Sequence, residues 1–145
     1  MMDWGECESK FIRKTEIDKE RINSIIEKAE IRLKLAKTIK INEETVSFVV
    51  EDYYEVIKEL LVAYLLSKGL KSSNHQCLIT YFYKENSDCE YEAKLISQLS
   101  FYRNRLNYYG ETIPISFYEK NKKQFEEIIK LIKNLIKKEV ETWLN

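Results

Sequence analysis

Apolar side chains recur along most of this chain at steps of three and four, the spacing of one helical face. Residues 15–40 carry Ile22, Ile25, Ile26, Ala29, Leu33 and Ala36 on such a stripe. Residues 43–68 carry Val46, Val49, Tyr53, Ile57, Leu60 and Tyr64, and Phe48, Val56 and Val62 widen the stripe. A helix apolar over so much of its circumference is expected at the centre of the fold. A short helix with Leu78, Tyr81 and Phe82 is predicted next. Residues 87–109 follow, with Leu95, Leu99, Tyr102, Leu106 and Tyr109, and the last helix carries Phe125, Ile128, Ile129, Ile132, Leu135, Ile136, Val140 and Trp143.

Start and stop signals punctuate these stripes. Thr15-Glu16-Ile17-Asp18, Ser73-Asn74-His75-Gln76, Ser87-Asp88-Cys89-Glu90 and Ser116-Phe117-Tyr118-Glu119 each place a hydroxyl three residues ahead of a carboxylate or amide. That is the capping-box pattern. Asn42 is expected to cap the second helix, and Gly69 and Gly110 suit the positions just past helix ends. No alternating strand pattern stands out. Cys77 to Tyr83 is aromatic enough for a strand but has no partner strand. The expected fold is all-α, an up-down bundle of about five helices: two long ones, a short one and two more. Residues 1–14 carry no helical stripe and are expected to be irregular.

Composition narrows the possibilities. A chain of 145 residues fits one domain over residues 1–145. Only 3 Gly and 1 Pro leave too few tight turns for a sandwich or barrel. With 24 basic and 24 acidic residues, a broad cationic surface for duplex nucleic acid is not expected. The charge is uneven: residues 10–40 hold ten basic and five acidic side chains, and residues 43–59 hold six acidic and one basic. Two neighbouring helices pairing at the surface explain this, and a basic border to a nucleic-acid groove is the alternative. The odd number of cysteines (Cys7, Cys77, Cys89) argues against a disulfide framework and for free thiols. One histidine and no paired cysteines make a metal site unexpected, and no cofactor is expected. No apolar run reaches the ~20 residues of a membrane span, and the acidic start does not read as a secretory signal. The chain is expected to be soluble, reduced and cytoplasmic.

Chemistry concentrates in Phe101-Tyr102-Arg103-Asn104-Arg105-Leu106-Asn107-Tyr108-Tyr109-Gly110. At roughly 100° per residue, Leu99, Tyr102, Leu106 and Tyr109 share a face. Arg103 and Asn107 lie at its edge, and Asn104 and Tyr108 lie further round. A guanidinium fork, amides and phenols together can bind a nucleotide or RNA. The same residues also fit a helix end that caps its carbonyls and packs on a neighbour.

The chain resembles the HEPN domain family (higher eukaryotes and prokaryotes nucleotide-binding) over roughly residues 15–138. The likeness rests on the two long opening helices, the tract Val50-Glu51-Asp52-Tyr53-Tyr54-Glu55-Val56-Ile57-Lys58-Glu59-Leu60-Leu61, the connection from Gly69 to Asn74-His75, and Arg103-Asn104 near the end of the fourth helix. The resemblance implies a homodimer that brings the arginines of two protomers into one cleft. It implies RNA or a nucleotide as ligand and, in many members, a toxin–antitoxin pair with a minimal nucleotidyltransferase. Active members are metal-independent endoribonucleases in which an arginine, commonly followed by asparagine, precedes a histidine by four to six intervening residues.

Here Arg103 and Asn104 match the start of that motif, but Tyr108, Tyr109 and Gly110 occupy the histidine positions. Counting from Arg105 reaches Gly110, Glu111 and Thr112. Metal-free cleavage needs a proton acceptor matched to neutral pH, for which His at ~6.5 is suited and Tyr at ~10 is not. The resemblance therefore implies RNA or nucleotide binding with ribonuclease activity weakened or lost. Arg103, Asn104 and Tyr108 form the catalytic set, and Arg103, Asn107 and Tyr109 bind the ligand. The alternatives are an active ribonuclease completed by Tyr108 or by His75, and a bundle serving only protein interaction. Tyr108 or Tyr109 as an acceptor of AMP from the partner is a further implication. His75 itself fits a locally bonded helix start, a residue packed under the bundle, or a replacement base reaching the cleft.

Overall fold

A computed structural model describes residues 1–143 of the chain, with side chains to Thr142. The elements, in order, are α1 (Trp4–Glu6), a π-helical turn (Cys7–Phe11), β1 (Ile12–Lys14), α2 (Lys19–Ala36), α3 (Val46–Ser67), β2 (Leu70–Ser72), α4 (His75–Glu85), α5 (Glu90–Tyr109) and α6 (Ile115–Trp143). The fold is an all-α bundle, and its five larger helices are those that the apolar stripes predict.

Helix α3 is the axis: 15 of its 22 residues are buried, and α2, α4, α5 and α6 all pack on it. Its apolar residues leave no wide polar face, so it is stable only when surrounded. Helix α2 lies against it through Ile22, Ala29 and Ala36, spaced seven apart, and the two alanines allow close approach. Aromatic rings close the α3–α6 contact, with Tyr53 and Phe125 at 5.5 Å between centroids and Phe117 next to both Phe125 and Tyr102. The uneven charge resolves as surface pairing, because Arg32 of α2 reaches Asp52 and Glu59 of α3. Phe48, expected to widen the buried stripe, is instead 57% exposed near the start of α3, while Val56 is buried as expected. The Trp143 side chain, expected on the α6 stripe, lies outside the described residues.

The helices start close to their expected positions but with other caps. Thr15 donates its N–H to Gly69 O and prolongs the path of β1, so Asp18 caps α2 by accepting from the Arg21 N–H. Ser73 is likewise held by Phe11 O, and Asn74 caps α4. Ser87 sits in a turn ahead of Cys89, and α6 already begins at Ile115, one residue before Ser116. Asn42 does accept from the N–H groups of Glu44 and Thr45, leading the chain into α3. Gly69 and Gly110 adopt positive φ at the ends of α3 and α5, as expected.

Two expectations are corrected in the N-terminal segment. Residues 1–14 form three short elements, and β1 pairs antiparallel with β2, Arg13 opposite Lys71. Neither strand was legible, because three residues are too few to show alternation. Cys7 and Cys77 form a disulfide, both fully buried, with Cα atoms 5.5 Å apart. The odd count misled here: two cysteines pair, and Cys89 alone stays free and buried. Among the described residues, no helix is long and apolar enough to cross a membrane.

Candidate functional site

Three helices bring charged groups together beside the core. Glu55 and Lys58 stand one turn apart on α3, Arg103 and Asn104 lie on the penultimate turn of α5, and His75 is the first residue of α4. The two helices that carry His75 and Arg103 are tied by Gln76 Nε2, which donates to Ser100 Oγ at 2.9 Å.

Glu55 is the hub. Its Oε1 lies 3.4 Å from Arg103 Nη2, and its Oε2 lies 2.5 Å from Lys58 Nζ. All three side chains are largely shielded, at 16% exposure for Glu55, 18% for Lys58 and 24% for Arg103. Arg103 also donates from Nη1 to Asn104 Oδ1 at 3.3 Å and lies over the Tyr54 ring at 5.8 Å. Its Nε is buried and has no hydrogen-bond partner. Two cations thus share one carboxylate, and one guanidinium donor remains unsatisfied. A buried unsatisfied donor costs about 1–3 kcal/mol, so this corner gains from an added acceptor.

His75 belongs electrostatically to the same cluster. Although the residue is exposed overall, desolvation of its ring, with the Lys58 ammonium and the Arg103 guanidinium nearby, pushes the imidazole below the ordinary histidine range, and the Glu55 carboxylate opposes the shift. The shift favours the neutral ring and makes it a weaker base than an ordinary histidine. Among the described residues, no group of three His, Cys, Asp or Glu side chains is placed to hold a metal ion.

The remaining expected residues are dispersed. Asn107 is exposed and borders a shallow groove with Phe48 and Leu106. Tyr108 is 73% exposed and Tyr109 68% exposed, and neither hydrogen-bonds to Arg103 among the described residues. Tyr109 was expected on the buried face, but it lies at the last position of α5, where no helix covers it. It stacks instead under Arg105, whose guanidinium is 4.4 Å from its ring and donates from Nε and Nη2 to the two carboxylate oxygens of Glu111. That pairing holds the Glu111 carboxyl below the usual range.

So Arg103 bonds to its neighbour Asn104 and not to Asn107, Tyr108 stands apart from them, and His75 feels their charge from another helix. Sequence reasoning missed Glu55 and Lys58 as site residues. Their signal was present: an acid and the only base of α3 three residues apart on a largely buried helix, where charge is costly unless paired. No family model, curated protein or solved structure matches the chain.

Proposed function

We propose that this protein binds RNA, as a HEPN-like protein, with a backbone phosphate taken by Arg103 and Lys58. One observation carries this reading: two shielded cations on neighbouring helices are held by a single carboxylate, with Arg103 Nε left without a partner. A phosphate has more acceptor oxygens than Glu55 and can displace it from either cation. The resemblance adds a twofold dimer, and a nucleotidyltransferase partner as in toxin–antitoxin pairs. Sedimentation tests the first and co-purification the second.

The test is the anisotropy of a labelled unstructured RNA oligonucleotide, titrated at several salt concentrations in EDTA. Arg103→Ala is expected to weaken binding about tenfold and to lower the salt slope by roughly 0.7, the value for one single-strand phosphate contact. Glu55→Gln, which frees both cations, is expected to tighten binding. The absence of wild-type binding at low salt, or an unchanged slope in Arg103→Ala, rejects the reading.

The position of His75 favours a second reading, an active metal-independent ribonuclease. Neutral His75 would take the proton of a 2′-hydroxyl as that oxygen attacks phosphorus. Arg103 would stabilise the added negative charge, and the departing 5′-oxygen would receive a proton from Lys58 or water. Products ending in 2′,3′-cyclic phosphate, lost in His75→Ala but retained in Tyr108→Phe, distinguish this reading from binding alone.

A further inference from the structure

The outer face of α5 is unusual for a surface helix. Phe101, Tyr108 and Tyr109 are 59%, 73% and 68% exposed, yet all three are large aromatic side chains on one helix. Large exposed apolar groups scattered singly need no explanation, but a contiguous set marks a contact surface. At roughly 100° per residue, the order round the helix is Arg103, Asn107, Asn104, Tyr108, Phe101, Arg105, Tyr109. In that order the aromatic face follows Asn104, the hydrogen-bond partner of Arg103.

Arg105 organises this face. Its guanidinium lies between two rings, 6.0 Å from the centroid of Phe101 and 4.4 Å from that of Tyr109. Glu111 fixes it through Nε and Nη2. The charge of Arg105 is thus paired locally, and the exposed rings of Phe101 and Tyr109 stand on either side of it along the helix. Such a surface attracts planar rings more than phosphates. Phe101, Arg105 and Tyr109 are each four residues apart, about 6 Å along the helix. Stacked bases rise only about 3.4 Å, so the face suits bases splayed out of a stack. A duplex keeps its base faces covered and cannot offer them.

We propose that the outer face of α5 is a stacking platform for unpaired bases, which makes the site select single strands over duplex. The proposal rests on the phosphate site described above and adds what reads the rest of the strand. A strand whose phosphate lies at Arg103 passes Asn104 and lays its neighbouring bases on Tyr108, Phe101 and the Arg105–Tyr109 stack.

The experiment uses the whole protein and three probes: an unpaired oligoadenylate, an abasic oligomer of the same length, and a blunt duplex. Proteins compared are the wild type, Phe101→Ala/Tyr109→Ala, Phe101→Leu/Tyr109→Leu and Arg103→Ala, each checked for helix content. The wild type is expected to prefer the unpaired strand at least tenfold over the duplex. Both aromatic variants lose about tenfold or more on the unpaired strand and nothing on the abasic oligomer. The leucine variant separates ring stacking from mere bulk. Arg103→Ala weakens all three probes.

If the aromatic variants bind the unpaired strand as well as the wild type does, the platform is overturned, while sensitivity to Arg103→Ala keeps the phosphate site. If no probe binds, both proposals fall. If the substitutions change only the sedimentation of the protein, a second copy covers this face and the platform is again overturned.

Discussion

Glu55 and His75 show how much depends on single side chains. Glu55 makes two like charges tolerable in a shielded corner, and those charges act in turn on the imidazole of His75. The folded pKa of His75 lies below its unfolded value of ~6.5, so the unfolded chain binds more protons as pH falls through that range. Stability is thus expected to be intact above about pH 6.5 and to decline as the pH drops toward the folded pKa. An NMR titration of the ring, the only histidine, should place its midpoint below the ordinary value. Arg103→Ala, by removing one neighbouring cation, should raise that midpoint. A ring that titrates normally and ignores Arg103 would mean that His75 does not belong to this cluster.

Among the elements, the N-terminal segment is tied to the helix that begins with His75. It is bound to α4 through the Cys7–Cys77 disulfide, the Thr80 hydroxyl donating to Met2 O at 2.7 Å, and Trp4 packed on Tyr81 under Lys84. The disulfide closes a separation of 70 residues. Loop entropy puts the worth of such a link at about 4 kcal/mol. Thermal melts with and without a dithiol should therefore differ markedly, and Cys7→Ser/Cys77→Ser should match the reduced wild type. A melting temperature insensitive to the dithiol would show that the disulfide adds little. Because β2 runs directly into the helix headed by His75, loosening β1 should also alter the His75 resonance. The caps of these elements were only partly legible. Hydroxyls stood at the expected sites, but Thr15 and Ser73 were already engaged by strand-like hydrogen bonds, and Asp18 and Asn74 took the caps.

The molecule as a whole is organised around α3, and its stability should follow burial there rather than hydrophobicity alone. Phe125 is fully buried against Tyr53 and Phe117, whereas Leu35 of α2 is 62% exposed. Phe125→Ala is expected to cost about 3–5 kcal/mol and Leu35→Ala within about 0.5 kcal/mol, measured by urea unfolding. Similar losses at both positions would mean that Leu35 is covered in solution by something else, such as a second copy. That comparison also bears on the dimer that the HEPN resemblance implies.

The number, order and approximate limits of the large helices were readable along the chain, because a helical stripe is a local property that neighbouring residues settle among themselves. So were the two glycines at positive φ. The pairing of β1 with β2, the Cys7–Cys77 bond and the meeting of Glu55, Lys58, His75 and Arg103 were not. Each joins residues far apart in sequence, and no local spacing records which distant partner a side chain will meet. Packing around α3 made those choices. It decided that a lone histidine, with no motif of its own, would come within reach of the arginine's charge.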